Sequence, residues 1–115
     1  MPVGKVPTTL QKTDLIVGNG AEAAAGKKVS VQYVGVSYST KQQFDASWDR
    51  GQPFSFVLGE GDVIKGWDQG VPGMKVGGRR QLVIPPDLAY GANGAPPAIG
   101  PNETLVFVVD LLSVG

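Results

Sequence analysis

The chain has 115 residues, the length of one domain, with 10 Lys plus Arg against 10 Asp plus Glu and a formal net charge of zero. Nucleic acid and anionic membranes, which favour a basic surplus, are poor partners for such a chain. It has no histidine and no cysteine. That excludes imidazole acid–base work, Ser-His-Asp catalysis, thiolate nucleophiles, disulfides and His- or Cys-ligated metals.

Apolar residues make up 42% and charged residues 17%, the proportions of a folded globule. The 17 glycines and 9 prolines point to many turns and a β-rich fold with functional loops. No apolar run approaches the ~20 residues needed to span a bilayer. The start of the chain lacks the apolar core of a signal peptide. A cytoplasmic protein or an isolated domain is the expectation, and the missing cysteines agree with a reducing compartment.

In chain order, residues 1–8 carry little pattern and read as a loose arm, with the domain running from 9 to 115. Asp14 to Val17 is a short β run stopped by Gly18-Asn19-Gly20. Glu22 to Gly26 is an Ala-rich loop, too short for a stable helix. Val29, Val31 and Tyr33 alternate with polar residues as a half-buried strand. The apolar phase then moves to Val34, Val36 and Tyr38, which predicts a bulge or a change of buried face. Residues 39–43 are polar and turn the chain. Residues 44–50 are compact and not periodic.

Phe54, Phe56 and Leu58 alternate as the next strand. Asp62 suits a helix N-cap, and Ile64, Trp67 and Val71 form one apolar helical stripe. Gly66 and Gly70 each cost such a helix about 1 kcal/mol against Ala, so it must be held by packing. Leu82 and Ile84 mark a strand from about Arg79, ended by Pro85-Pro86. Residues 87–102 form a long loop of the kind that usually carries function. A last strand runs from Leu105 to Leu111. The expected fold is α+β: a twisted, mostly antiparallel sheet of about five strands wrapped around one short α-helix.

Nine aromatic residues (Tyr33, Tyr38, Phe44, Trp48, Phe54, Phe56, Trp67, Tyr90 and Phe107) are enough to fill a core. Trp67 stands apart, because flanking glycines keep its surroundings small, as the floor of a cleft requires. Asp45 and Asp49 flank Trp48, and paired carboxylates serve glycoside hydrolysis, but an ion pair on a loop with Arg50 is the plainer reading. Glu60, Asp62 and Asp68 do not match a calcium loop. No Gly-Lys-Ser/Thr follows the glycine-rich stretches, so a phosphate cradle is excluded. Neither a metal nor a cofactor is expected.

Six segments occur in order: Val31-Gln-Tyr-Val-Gly35, Phe44-Asp-Ala-Ser-Trp-Asp-Arg50, Pro53-Phe-Ser-Phe-Val-Leu-Gly59, Val63-Ile-Lys-Gly-Trp-Asp-Gln-Gly-Val71, Pro86-Asp-Leu-Ala-Tyr-Gly91 and Thr104-Leu-Val-Phe107. Together they resemble the small, single-domain FKBP-type peptidyl-prolyl cis–trans isomerases, from about Leu10 to the C-terminus. The resemblance implies a twisted antiparallel sheet curled around a short helix. It implies catalysis at Tyr33, Phe44, Asp45, Trp67, Tyr90 and Phe107. Ligand binding would use these together with Phe54, Val63, Ile64 and Ile99. Trp67 would form the floor under the proline ring. The Tyr90 hydroxyl and the Ile64 N–H would donate to ligand carbonyls, and Arg50 would orient Asp45. Proline-containing peptides, unfolded proteins and the macrolides tacrolimus and rapamycin would be the partners of a monomer.

The chain departs from the family pattern at Ala95 and Ala98, which make the rim of residues 94–101 smaller, and at Asp62, where Glu is common. Two other functions fit the same residues. One is a proline-peptide binding module without turnover, and the other is a carbohydrate binder stacking sugars on Trp67 and Tyr90.

Overall fold

A computed structural model describes residues 9–94 and 99–115, and the backbone alone at 49 and 50. The expected arm of residues 1–8 lies outside the described residues. Six strands are present: β1 (Gln11–Ile16), β2 (Lys28–Ser37), β3 (Gln43–Ala46), β4 (Phe54–Val57), β5 (Arg79–Ile84) and β6 (Leu105–Val114). The single α-helix, α1, spans Lys65–Gly70. The strands form one antiparallel sheet in the order β1-β5-β6-β2-β3, with β4 also on β2. No helix among the described residues is long and apolar enough to cross a membrane.

The strand beyond the expected five is β3. Four residues are too few for alternation to register in the sequence. It pairs with β2 at Val34–Val36, whereas β4 pairs with β2 at Lys28–Val31. Two short strands thus share one edge of β2, and neither reaches Gln32 or Tyr33.

The predicted change of face in β2 does not occur. Val29, Val31, Tyr33, Gly35 and Ser37 are all buried, so one face stays inward along the strand. Gly35 continues it because there is no room for more: a Cβ there would lie 2.7 Å from both Phe107 Cε1 and Phe44 Cζ. Val34 and Val36 lie on the opposite face, paired with Val108 and Val106. The other expectation, a bulge, agrees with the register shifts at Gly35/Val36 against β3 and at Ser30/Val31 against β6.

The helix is also capped differently. Ile64 occupies the N-cap with no side-chain bond, and the Asp62 carboxylate accepts the Val57 N–H at 3.1 Å. Asp68 accepts the N–H groups of Gly59 and Gly61 at 2.8 and 3.0 Å. These carboxylates fix the β4–α1 turn, and Ile64 stays outside the helical region ahead of α1, with φ of -59° and ψ of 152°. The helix lies directly on β5. A Cβ on Gly66 would meet Ile84 Cγ2 at 2.4 Å, and one on Gly70 would meet Leu82 Cδ2 at 2.7 Å. The glycines therefore serve the approach to the sheet rather than space around the indole. Trp67 and Val71 point from α1 into the core that β2, β5 and β6 supply. Not every aromatic joins it, since Trp48 is 55% exposed.

Candidate functional site

The elements converge on a cleft of about 190 Å³. Tyr33 comes from β2, Phe44 and Asp45 from β3, Phe54 from β4 and Phe107 from β6. Val63 and Ile64 come from the turn leading into α1, Trp67 from α1, and Tyr90 from the loop after β5. All the residues singled out from the sequence line it except Ile99, which is buried in the core behind. Asp62 lines it too and was missed as a wall. Its position next to Val63 was the available signal, obscured by its reading as a cap. Arg50, expected to hold Asp45, and the rim alanines Ala95 and Ala98 lie outside the described side chains.

Trp67 is 4% exposed. Tyr33 stands edge-on to it at 4.9 Å and 84°, and Phe107 at 5.2 Å and 89°. Phe54 is 6.1 Å away at 72°. These edge-to-face arrangements are the favoured geometry of aromatic pairs. Phe44 stands edge-on to Phe107 at 5.6 Å, in the room that Gly35 leaves. The indole Nε1–H is buried without an acceptor among the described residues. Such a group costs folding about 1–3 kcal/mol.

Polar groups meet this aromatic wall at few points. The Tyr33 hydroxyl donates to Asp45 Oδ2 at 2.6 Å, so its proton is committed to the protein. The Tyr33 backbone is held as well. Its N–H lies in the gap that β3 and β4 leave beside β2 and donates to Ser47 Oγ at 2.7 Å. Ser47, fully buried, donates in turn to Gln32 Oε1 at 2.5 Å. A serine hydroxyl thus replaces the carbonyl of a missing strand, a role that no pattern in the sequence announced.

Two donors face the cleft unused. The Ile64 N–H has no acceptor among the described residues. The Tyr90 hydroxyl likewise has no partner among the described residues, and Tyr90 is 41% exposed. Burial first, and the nearby Asp45 charge second, raise the Tyr90 pKa above its ordinary value. The phenol therefore stays protonated, a donor, throughout the physiological range. The cleft can grip a small apolar ring on Trp67, with two neutral donors available at its mouth.

Residues 20–112 match the family model for FKBP-type peptidyl-prolyl cis–trans isomerases. A FK506-binding protein of Streptomyces anulatus is 58% identical over 114 residues, covering 98% of this chain and 92% of that protein. A probable FK506-binding protein of Corynebacterium glutamicum is 53% identical, covering 98% and 93%. Among solved structures, AtFKBP13 superposes with a TM-score of 0.86 at 40% identity, covering 96% of each chain.

Proposed function

Because the chain belongs to the FKBP-type peptidyl-prolyl cis–trans isomerase family, we propose that it catalyses rotation about Xaa-Pro bonds in flexible or unfolded proteins. Residues 9–115 are the catalytic domain, and it acts as a monomer in the cytoplasm. Tacrolimus and rapamycin compete for the same cleft. The observation that carries this reading is the convergence of Tyr33, Phe44, Phe54, Trp67 and Phe107 on one small cleft, with the Ile64 N–H and the Tyr90 hydroxyl as donors without a partner among the described residues.

The reaction explains why such a site suffices. The barrier of ~18–20 kcal/mol comes from the partial double bond of the amide. The twisted amide has lost resonance and carries less charge separation than the planar one. A dry aromatic cleft disfavours the polar planar form and accommodates the twisted form. Trp67 is the floor under the proline ring. Tyr33, Phe44 and Phe107 surround the rotating carbonyl. The Ile64 N–H and the Tyr90 hydroxyl hold carbonyls on either side, so that rotation is confined to one bond. Asp45 holds the Tyr33 ring in place and transfers no proton.

Exchange NMR on a Leu-Pro peptide tests this directly. Catalysed interconversion that tacrolimus abolishes is expected. Saturable binding of the peptide without faster exchange would make the protein a proline-binding module instead. Binding of a glycan in place of the peptide would make it a carbohydrate binder.

A further inference from the structure

Phe44 lines both the aromatic cleft and a groove of about 550 Å³ that Ser37, Thr40, Gln42, Gln43, Gly100 and Glu103 also line. Apart from Phe44 its side chains are polar, and Glu103 is its only charged lining residue. The carboxylate is half-buried and fixed: Glu103 Oε1 accepts the Ser39 hydroxyl at 2.8 Å, and Oε2 faces the Ser39 N–H at 3.3 Å. Among the described residues no cation sits on it. Lys41, the cation of the same hairpin, is turned onto the Tyr38 ring, 5.8 Å from its centroid. The groove therefore presents an oriented negative charge and borders the cleft at Phe44.

We propose that this groove is a second substrate subsite, which takes a lysine or arginine of the client chain, with Glu103 as its specificity-determining residue. This rests on the isomerase reading of the cleft. A chain whose proline occupies the cleft reaches the groove by passing Phe44, which lines both. An extended chain advances about 3.3 Å per residue, so it clears one phenyl ring in roughly two or three residues. The basic residue consequently lies two or three positions from the proline, on one side of it. The interaction is a half-exposed ion pair and changes kcat/KM by about two- to five-fold.

The test uses Leu-Pro peptides in which lysine or norleucine is placed two and three residues before and after the proline, assayed by exchange NMR at low salt. The kcat/KM ratio of lysine to norleucine should exceed about twofold on one side only. Glu103→Gln, whose amide oxygen still accepts from Ser39, should bring that ratio to one. Glu22→Gln, which removes the same charge from the loop bridged to Lys75, should leave it intact. No lysine preference at any position, or a preference that survives Glu103→Gln, overturns the subsite. Loss of the preference in Glu22→Gln as well overturns it in favour of overall charge. If no peptide is turned over, the isomerase reading fails by itself, and calorimetric affinities of the same peptides decide the groove by the same ratio.

Discussion

Replacing Gly66 with alanine sets two opposing effects against each other. Alanine favours helix over glycine by about 1 kcal/mol in a helix interior, and by less near the start of a six-residue helix. Against this, the added Cβ would lie 2.4, 2.7 and 2.9 Å from Cγ2, Cδ1 and Cγ1 of Ile84. Comfortable carbon contacts are about 3.5–4.0 Å, so helix and strand must part by roughly 1 Å. Ile84 is fully buried and packed, and cannot swing away. Overpacking of this kind costs about 1–3 kcal/mol. The clash wins, and Gly66→Ala is expected to destabilise by about 1–2 kcal/mol, lowering Tm by about 4–10 °C in calorimetry. Trp67 is the next residue and moves with the helix. A floor misplaced by about 1 Å lowers kcat/KM by an order of magnitude or more. In a double-mutant cycle, Ile84→Ala removes the opposing atoms, so the pair should be coupled by at least about 1 kcal/mol. A higher Tm in Gly66→Ala, or strict additivity with Ile84→Ala, would refute the reasoning.

Four other outcomes follow from the same geometry. Ser47→Ala strands the Tyr33 N–H in the strand gap and should lower unfolding free energy in urea by about 1–3 kcal/mol; no change there would mean that the gap is already solvated. Asp45→Asn keeps an acceptor for the Tyr33 hydroxyl and should retain the fold and much of the activity, whereas Asp45→Val removes it and should lose about tenfold in kcat/KM; complete inactivity of a folded Asn variant would point to an essential charge. Asp14 bonds the buried Arg80 guanidinium at 2.6 Å, and this bond, ahead of the charge attraction, lowers its pKa from 3.8. Its ionised form therefore stabilises the fold above that value and ceases to as pH falls through the lowered one, so acid unfolding should be less steep in Asp14→Asn. Finally, with histidine and cysteine absent and Tyr90 shifted upward, kcat/KM should be flat from about pH 6 to 8.5; a tenfold limb in that window with the protein folded contradicts catalysis by amide distortion.

The sequence exposed the site more fully than the fold. Tyr33, Phe54, Trp67 and Phe107 sit in motifs whose resemblance to a family assigns them before any contact is known. What alternation could not convey was anything resting on small residues. Gly35 and Ser37 carry the inward face of β2, but a pattern of apolar residues registers Val34 and Val36 instead. Gly66 and Gly70 read as helix weakness, yet they are what lets α1 touch Leu82 and Ile84. Asp62 read as a cap because capping is judged over a few residues, whereas its acceptor role is decided by the return of β4 beside it. Ser47 and Glu103 were invisible for a similar reason: their partners are 14 and 64 residues away.

The floor of the cleft and the core of the fold are the same residues. A six-residue helix with two glycines has no stability of its own, so Trp67 is held only by the rings and strands it packs against. A substitution at Trp67, Tyr33 or Phe107 must therefore lower stability and binding together, and neither measurement alone can assign the cause. The mouth is different. Tyr90, Ile64 and Phe44 are exposed or half-buried, and the Tyr90 hydroxyl and the Ile64 N–H have no partner among the described residues. Tyr90→Phe removes a hydroxyl that the fold does not use. If the cleft is the isomerase site, the mouth is where activity should change without loss of stability: Tyr90→Phe should lower kcat/KM while Tm stays within about 1–2 °C, and a Tm loss as large as that of Gly66→Ala would contradict the division.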